Sequence, residues 1–498
     1  MSVATFSGYA LWWIIGLLAV YFVFVSWVGT RGASLSKTMV GFATARGHVN
    51  PWLVGLSFAS TYASANLFIG VPGLAYTYGT SVLWYTLGCF GVSWIGLLLF
   101  AKTFWRYSKK FGRVSTLPEW LGRRYNSRGL QVIVSLLILF NIYYIVGQNV
   151  GLATIFETML GIPYFWAVLA GVSITVLYIG LGGAFAQIVT DAIQAIMMMI
   201  TSALVFVSLY WTIGGGVTLF SRLNAELASI DPSLVAPLSN GGPYGSVLAI
   251  ASVQFLLFSF VIMPHLLNKI LSLDSEEQLR PFTLSSGLSL FVISTLTVFG
   301  GFAMRILSPN LENPDQVIPI YLTEAFPLAI VAIMIVGLIS AILSSTDSLY
   351  LGITTSIGND LYKNVVKFLK KAKSDDVIDR RSVSVAKRSL WIIGLITIYF
   401  SIHRPESLGI LIQFSFSAVI SGLIAPISLG YFWKGANKYG AMVGVVIGVG
   451  AYLALTGFHI VSNIYIAMFF GSVLSYISMG IVCGLTSQKA RSSVAAKV

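Results

Sequence analysis

Charge is what this sequence has least of. Only 9% of its 498 residues are Asp, Glu, Lys or Arg, against roughly 25% in an ordinary soluble domain, which excludes a water-soluble globular protein. Cysteine is nearly absent: Cys89 and Cys483 both stand in apolar surroundings, so neither a disulfide framework nor a CxxC metal or redox site is available. The four histidines, His48, His265, His403 and His459, are scattered, which argues against a histidine-based metal centre. No GxxxxGK[ST], HExxH or GxSxG pattern occurs, so ATP-driven pumping, zinc hydrolysis and a serine-hydrolase elbow have no support. An enzyme is not expected.

What is present is apolar: 56% of the chain is hydrophobic and 13% aromatic. A helix crosses the hydrocarbon core of a bilayer with about 20 apolar residues. Stretches of that kind lie at 7–29, 51–76, 80–101, 130–158, 163–182, 187–212, 245–270, 284–304, 326–352, 387–402, 407–433, 439–457 and 461–484, which predicts thirteen membrane helices. The first lacks a preceding basic region and is expected to be a retained helix, not a cleaved signal.

The net charge of +13 would raise the question of nucleic acid in a soluble protein, but the placement of the charges answers it. With the N-terminus outside, alternate loops collect Arg31, Lys37 and Arg46, then Lys102 to Arg128, Lys269 and Arg280, Lys363 to Arg388, and finally Lys434, Lys438 and the tail. Only Arg222, Arg305 and Arg404 remain on the other side, as the positive-inside rule requires. The expectation is a multi-pass plasma-membrane protein with its C-terminus in the cytoplasm and no nucleic-acid partner. The stretch from Lys363 to Arg388 reads as a solvated cytoplasmic loop, with anionic lipid or a regulatory partner as the alternative.

No intervening segment is large enough for a second domain, so 1–498 is expected to form one membrane unit. Many transporters are built from two inverted repeats whose interrupted helices meet at the midplane. Taking 7–29 as a peripheral first helix, 51–212 and 245–433 make two halves of five helices. Two peripheral helices at 439–484 and a cytoplasmic tail at 485–498 complete the chain. The second span, GLSFASTYASANLFIGVPG, is dense in small polar residues, and the seventh carries Gln254, Pro264 and His265. They occupy matching places in the two halves.

Ionisable residues inside spans are costly and by default functional. Asp191 and Asp347 are the clear cases, while Glu157 lies near a span end where it reaches the interface. In the ninth span Ala341, Ser344, Ser345 and Ser348 fall at i, i+3, i+4 and i+7, one face of a helix. Hydroxyls and carbonyls on that face suit a hard cation such as Na+, with carbonyls of a broken partner helix completing the shell. Alternatively, they bond their own backbone or let neighbouring helices pack closely. The second span offers the partner. Ser60, Ala63, Ser64 and Leu67 share a face, and Gly70, Pro72 and Gly73 beyond them allow unwinding, which is tolerated only along a cavity.

These segments are familiar as a set. TYASANLFIGVPGLAYTYG, LGIPY with LYIGLGGAFAQIVTDAIQ, and SAILSSTDS followed by GNDLY resemble the sodium/solute symporter family along nearly the whole chain. The resemblance implies an all-α polytopic fold with a 5+5 inverted repeat of the leucine-transporter type. It implies a Na+ site made by the carbonyls of Ser60, Ala63 and Ala341 and the hydroxyls of Ser344 and Ser345. It also implies that Asp191 influences sodium binding or release. Some members hold a second Na+ beside that acid, which here would recruit Asp347 and Ser348.

Within the family, VIMPHLLNKILSLDS, PDQVIPIYL and FWKGANKYGAMVG look most like the pantothenate and small-monocarboxylate permeases. Proline carriers of the family have Asp where this chain has Tyr62, and sugar carriers have Gln where it has Leu67, which argues against both substrates. Polar or aromatic residues at midplane depth nominate Tyr62, Ser64, Asn66, Gln148, Gln254, Phe258, Gln413 and Ser415 for solute binding. No Lys or Arg is expected at that depth, so a carboxylate would rest on a half-helix N-terminus, hydroxyls, amides or Na+.

The expected function is sodium-coupled import of a small organic solute, a monocarboxylate or pantothenate-like compound, by alternating access and as a monomer. Three alternatives stay open: a proton-coupled carrier in which Asp191 or Asp347 takes the proton, a sodium symporter for an amino acid, and a membrane sensor module. The short tail after residue 484 sets the expectation against the last.

Overall fold

The computed structural model describes residues 9–369, 374–403 and 408–495. Arg404, the central lysines of the 363–388 stretch and the last three tail residues lie outside them. Eleven continuous helical runs among the described residues are long and apolar enough to cross a membrane. Three are at least twice the length of one crossing: Pro51–Lys110, Tyr164–Thr212 and Leu328–Phe368, of 60, 49 and 41 residues, against about 20 for a span. The first turns at Gly79 (φ 62°) and the second at Gly183 (φ 54°). Both glycines adopt the left-handed backbone that side chains resist. Counting the two runs that turn at a glycine as two crossings each, and Leu328–Phe368 as one, gives the thirteen expected.

The helices used below are α1 (Tyr9–Gly32), α2 (Pro51–Ala65), α3 (Val71–Tyr78), α4 (Ser93–Lys110), α5 (Arg128–Ile138) and α6 (Asn141–Leu160). They continue with α7 (Tyr164–Thr212), α8 (Val247–Phe260), α9 (Pro264–Leu271) and α10 (Leu279–Leu307). The last are α11 (Leu328–Ser356), α12 (Asp375–Ile402), α13 (Leu408–Phe432), α14 (Lys438–Gly457) and α15 (Ile464–Ala495). The stretch expected at 387–402 is the apolar end of α12, which begins a dozen residues earlier in a polar segment. That run of charged residues hid the true helix start.

Large apolar side chains such as Trp12, Leu98, Leu136, Ile333 and Leu395 point outward on the bundle surface, where lipid satisfies them. The inner helices behave differently. Every residue of α11 from Met334 to Ser356 is buried, and α2 packs against α7, α10 and α11. These contacts make α2 and α11 the centre of the molecule.

Two spans are interrupted. The first interruption lies in α2 at Ser64, whose backbone (φ 45°, ψ 176°) leaves the helix. A non-glycine residue in that region costs on the order of 1–3 kcal/mol and persists only where surroundings enforce it. Here they do: Gln148 Oε1 accepts the Ala65 N–H at 3.2 Å and Ser64 Oγ accepts the Asn66 N–H at 3.2 Å. The unwinding expected around Gly70–Gly73 is therefore displaced to Ser64. A π-type turn spans Asn66–Gly70, while Gly73 serves close packing, since a Cβ there would lie 2.8 Å from the Pro314 carbonyl.

The second interruption separates α8 from α9. Pro264 opens α9 and Met263 before it is extended (ψ 138°), because the proline ring excludes helical geometry from the preceding residue. Spans two and seven are thus both discontinuous, span seven at Pro264 and span two at Ser64, ahead of the glycines that suggested its break.

Candidate functional site

The hydroxyl face of α11 meets α2 just before its break. Ser344 Oγ lies 3.0 Å from the Ser60 carbonyl and 3.2 Å from that of Ala341. Ser345 Oγ donates to the Thr61 carbonyl at 2.8 Å. All of these residues are completely buried. One hydroxyl hydrogen serves one acceptor at a time, so Ser344 leaves carbonyl lone pairs here for a cation to use. Ala63 is placed differently: its carbonyl accepts the Asn66 N–H across the break. The structure therefore brings together Ser60, Ala341, Ser344 and Ser345 as expected, adds the Thr61 carbonyl, and engages Ala63 in holding the unwound segment.

One turn further along, a polar cluster surrounds Asp191 on α7. Its Oδ2 accepts from Ser57 Oγ (2.9 Å), Thr61 Oγ1 (3.0 Å) and Gln187 Nε2 (2.6 Å). It also accepts from Lys269 Nζ at 2.8 Å. Ser348 Oγ lies 2.8 Å from Thr61 Oγ1 and also meets Gln187 Nε2. Asp347 accepts the Tyr178 hydroxyl and lies within electrostatic reach of both Asp191 and Lys269. Asp191, Asp347 and Ser348 thus belong to one cluster adjoining the α2–α11 contact through Thr61.

Lys269 corrects one expectation. The charge pattern places it in a cytoplasmic loop. Instead it sits on α9 with its side chain 2% exposed, paired with a carboxylate that is 0% exposed. The sequence signal that would have found it is Asp191 itself, because a buried carboxylate demands a partner.

Outside the spans, Arg46 donates to the Leu271 and Val114 carbonyls at 2.8 and 2.7 Å, clamping the end of α9. Burial, with Arg113 close by, pulls its guanidinium down to about 10, which still leaves it charged at neutral pH.

Several of the solute-contact candidates gather at the break. Tyr62 donates to or accepts from Ser93 at 2.6 Å, and its ring meets Phe260 edge-on with centroids 4.9 Å apart. Asn66 Nδ2 donates to the Tyr85 hydroxyl at 2.8 Å. Gln148 is fully buried, with its Nε2 lacking a hydrogen-bond partner. Gln413 lies near Tyr465. Three others have partners of their own. Gln254 donates to the Trp84 carbonyl, Phe258 packs on Phe100, and Ser415 donates to the Phe140 carbonyl.

On α8 the aromatic that meets Tyr62 is Phe260, two residues on from Phe258. His265, noted in the sequence only as unusual, is buried next to Phe260 and Tyr144 with neither ring nitrogen bonded.

Comparison with known proteins agrees with this architecture. The pattern of the Sodium:solute symporter family matches residues 42–448. The chain is 28% identical over 429 residues to the sodium/pantothenate symporter of Haemophilus influenzae, covering 86% of this chain and 85% of that one. It is 25% identical over 491 residues to the osmoregulated proline transporter OpuE of Bacillus subtilis, covering 96% of each. Among solved structures, a Na+-coupled sialic acid symporter in a substrate-bound outward-open state superposes with a TM-score of 0.81 at 20% identity, covering 96% of this chain and 98% of that one. MhsT in complex with L-phenylalanine gives a TM-score of 0.53 at 13% identity, covering 88% and 98%. These two likenesses establish the fold. The chain belongs to the sodium:solute symporter family: it is a multi-pass, all-helical transporter of the leucine-transporter fold, coupled to sodium, and not an enzyme.

Proposed function

We propose that this chain imports a small organic anion, a pantothenate-like compound or another monocarboxylate, together with Na+ that binds between α2 and α11. The observation that carries this reading is the meeting of Ser344 Oγ with the Ser60 carbonyl one turn before the break at Ser64. Na+ is a transported substrate here. Ser60, Ala341, Ser344 and Ser345 offer neutral oxygens to it, and Ala63 contributes by fixing the unwound turn. Ion binding straightens the requirements on α2: with the carbonyls before Ser64 held, the segment after it is fixed relative to α11.

That segment is the solute side of the same device. The first amide groups after the break are held by Gln148 and Ser64 side chains, which can yield them to a carboxylate, as half-helix N-termini do. Tyr62, Ser64, Asn66 and Gln148 are the contacts we assign to the solute, with Gln413 further out. Phe260 closes over Tyr62. Tyr62 itself supports a non-proline substrate, since the family resemblance implies an Asp at that position in proline carriers.

Relatives named as proline transporters keep an amino-acid substrate in play. The loops around Lys102–Arg113 and Asp274–Glu276 join at one rim through ion pairs of 2.7–3.1 Å. That supports placing both on the cytoplasmic face, with the N-terminus outside the plasma membrane.

The test is uptake by proteoliposomes of labelled pantothenate, short monocarboxylates and proline under an inward Na+ gradient. Accumulation of one carboxylate, abolished when K+ replaces Na+, is the expected result. Accumulation of proline alone would move the assignment to an amino acid, and uptake that follows a proton gradient without Na+ would overturn sodium coupling.

A further inference from the structure

Lys269 has no part in the sodium site between α2 and α11, yet it is the buried cation nearest to it. We propose that the Lys269 ammonium is a tethered counter-ion that takes the position of a second transported sodium, so that this chain binds one Na+ per transport cycle. The proposal rests on the reading of Ser60, Ala341 and Ser344 as the sodium site.

The geometry is that of a cation position already filled from within. Nζ lies 2.8 Å from Asp191 Oδ2 and 2.6 Å from Ser57 Oγ. Thr61 and Ser348 place two more hydroxyls in the same cluster. A carboxylate with several hydroxyls is the donor set a hard cation takes, and the ammonium now consumes its charge.

Charge balance points the same way. Asp191 brings a negative charge to a completely buried position and Lys269 meets it with a positive one. A further cation in the same cluster would find that carboxylate already neutralised and leave an uncompensated buried positive charge, which is strongly unfavourable. The consequence for transport is that a monoanion crosses with one Na+ without net charge.

A purely structural ion pair would leave the number of bound ions unchanged when it is removed, and this separates the two roles. The experiment is equilibrium binding of 22Na+ to purified full-length protein in choline chloride, counted per chain. Wild type is expected to bind one ion. Lys269→Met is expected to bind two, and Lys269→Met with Asp191→Asn to return to one, because the liberated site needs its carboxylate. Lys269→Arg, which keeps the charge, is expected to stay at one.

Two ions in wild type overturn the proposal, as does a single ion in folded Lys269→Met. Should that variant not fold, the wild-type count still decides. No ion in wild type, or an undiminished count in Ser344→Ala, instead refutes the sodium site on which the proposal stands.

Discussion

Ser344 Oγ lies 3.0 Å from the carbonyl oxygen of Ser60, joining a hydroxyl-bearing face of α11 to the last intact turn of α2. The two residues are 284 positions apart, so this contact couples one half of the chain to the other. It also sits beside a break that is stabilised by Gln148 from α6. Ion binding at the contact and solute binding at the break therefore act on the same turn.

Replacement of Ser344 by Ala removes one oxygen from the sodium site without creating a large cavity. Loss of one hydrogen bond or ligand to a charged group is worth about 1.5–3 kcal/mol, which corresponds to a rise of roughly ten- to a hundredfold in the Na+ concentration for half-maximal uptake. Sodium titration of uptake measures it. An unchanged sodium dependence with preserved transport would place the ion elsewhere.

Asp191→Leu strands the Lys269 ammonium in a buried site. Breaking one side of a buried ion pair costs about 3–5 kcal/mol, whereas replacing both sides by apolar residues is often close to neutral. The expected result is a marked fall in unfolding temperature for Asp191→Leu, with much of the loss recovered in Asp191→Leu/Lys269→Met. Simple addition of two losses would contradict direct pairing.

Gln148 holds the first amide after the break with one end of its side chain and leaves its Nε2 unbonded. Gln148→Leu is expected to weaken solute affinity by about tenfold or more, from the loss of one hydrogen bond to a charged ligand. Sodium binding in the absence of solute should stay within about twofold. Competition uptake and 22Na+ binding on the same preparation separate the two; equal effects on both would assign Gln148 to the scaffold alone.

Gly183 turns the chain between the fifth and sixth crossings. Its φ of 54° disfavours any side chain, and a Cβ there would stand 2.7 Å from the Phe42 carbonyl. Gly183→Ala should lower stability by about 1–3 kcal/mol, read as a fall in unfolding temperature, while Gly180→Ala should be mild, since its nearest neighbour is the end of the Leu390 side chain at 3.5 Å.

Much of this architecture was readable in the sequence because the bilayer imposes it. The length of apolar runs gives the crossings, small polar residues in span two and Pro264 in span seven mark the interruptions, and Ser344 and Ser345 stand at helical spacing. What escaped depended on pairing across the fold. Lys269 ends an apolar run and precedes a polar loop, so a rule that counts basic residues in loops takes it for one of them; only its approach to Asp191, 78 positions away, reveals otherwise. The break at Ser64 likewise lies before the glycines that suggested it, because Gln148 supplies the compensating acceptor.

The central claim is that Na+ is held where Ser344 meets Ser60. The most direct measurement is the unfolding temperature of purified wild type and Ser344→Ala in NaCl and in KCl at equal ionic strength. A ligand present at 100 times its dissociation constant stabilises by about 2.7 kcal/mol. The account predicts a higher unfolding temperature in NaCl for wild type and little or no difference between the salts for Ser344→Ala. Equal unfolding temperatures of wild type in the two salts, or an identical sodium effect in the variant, would contradict it.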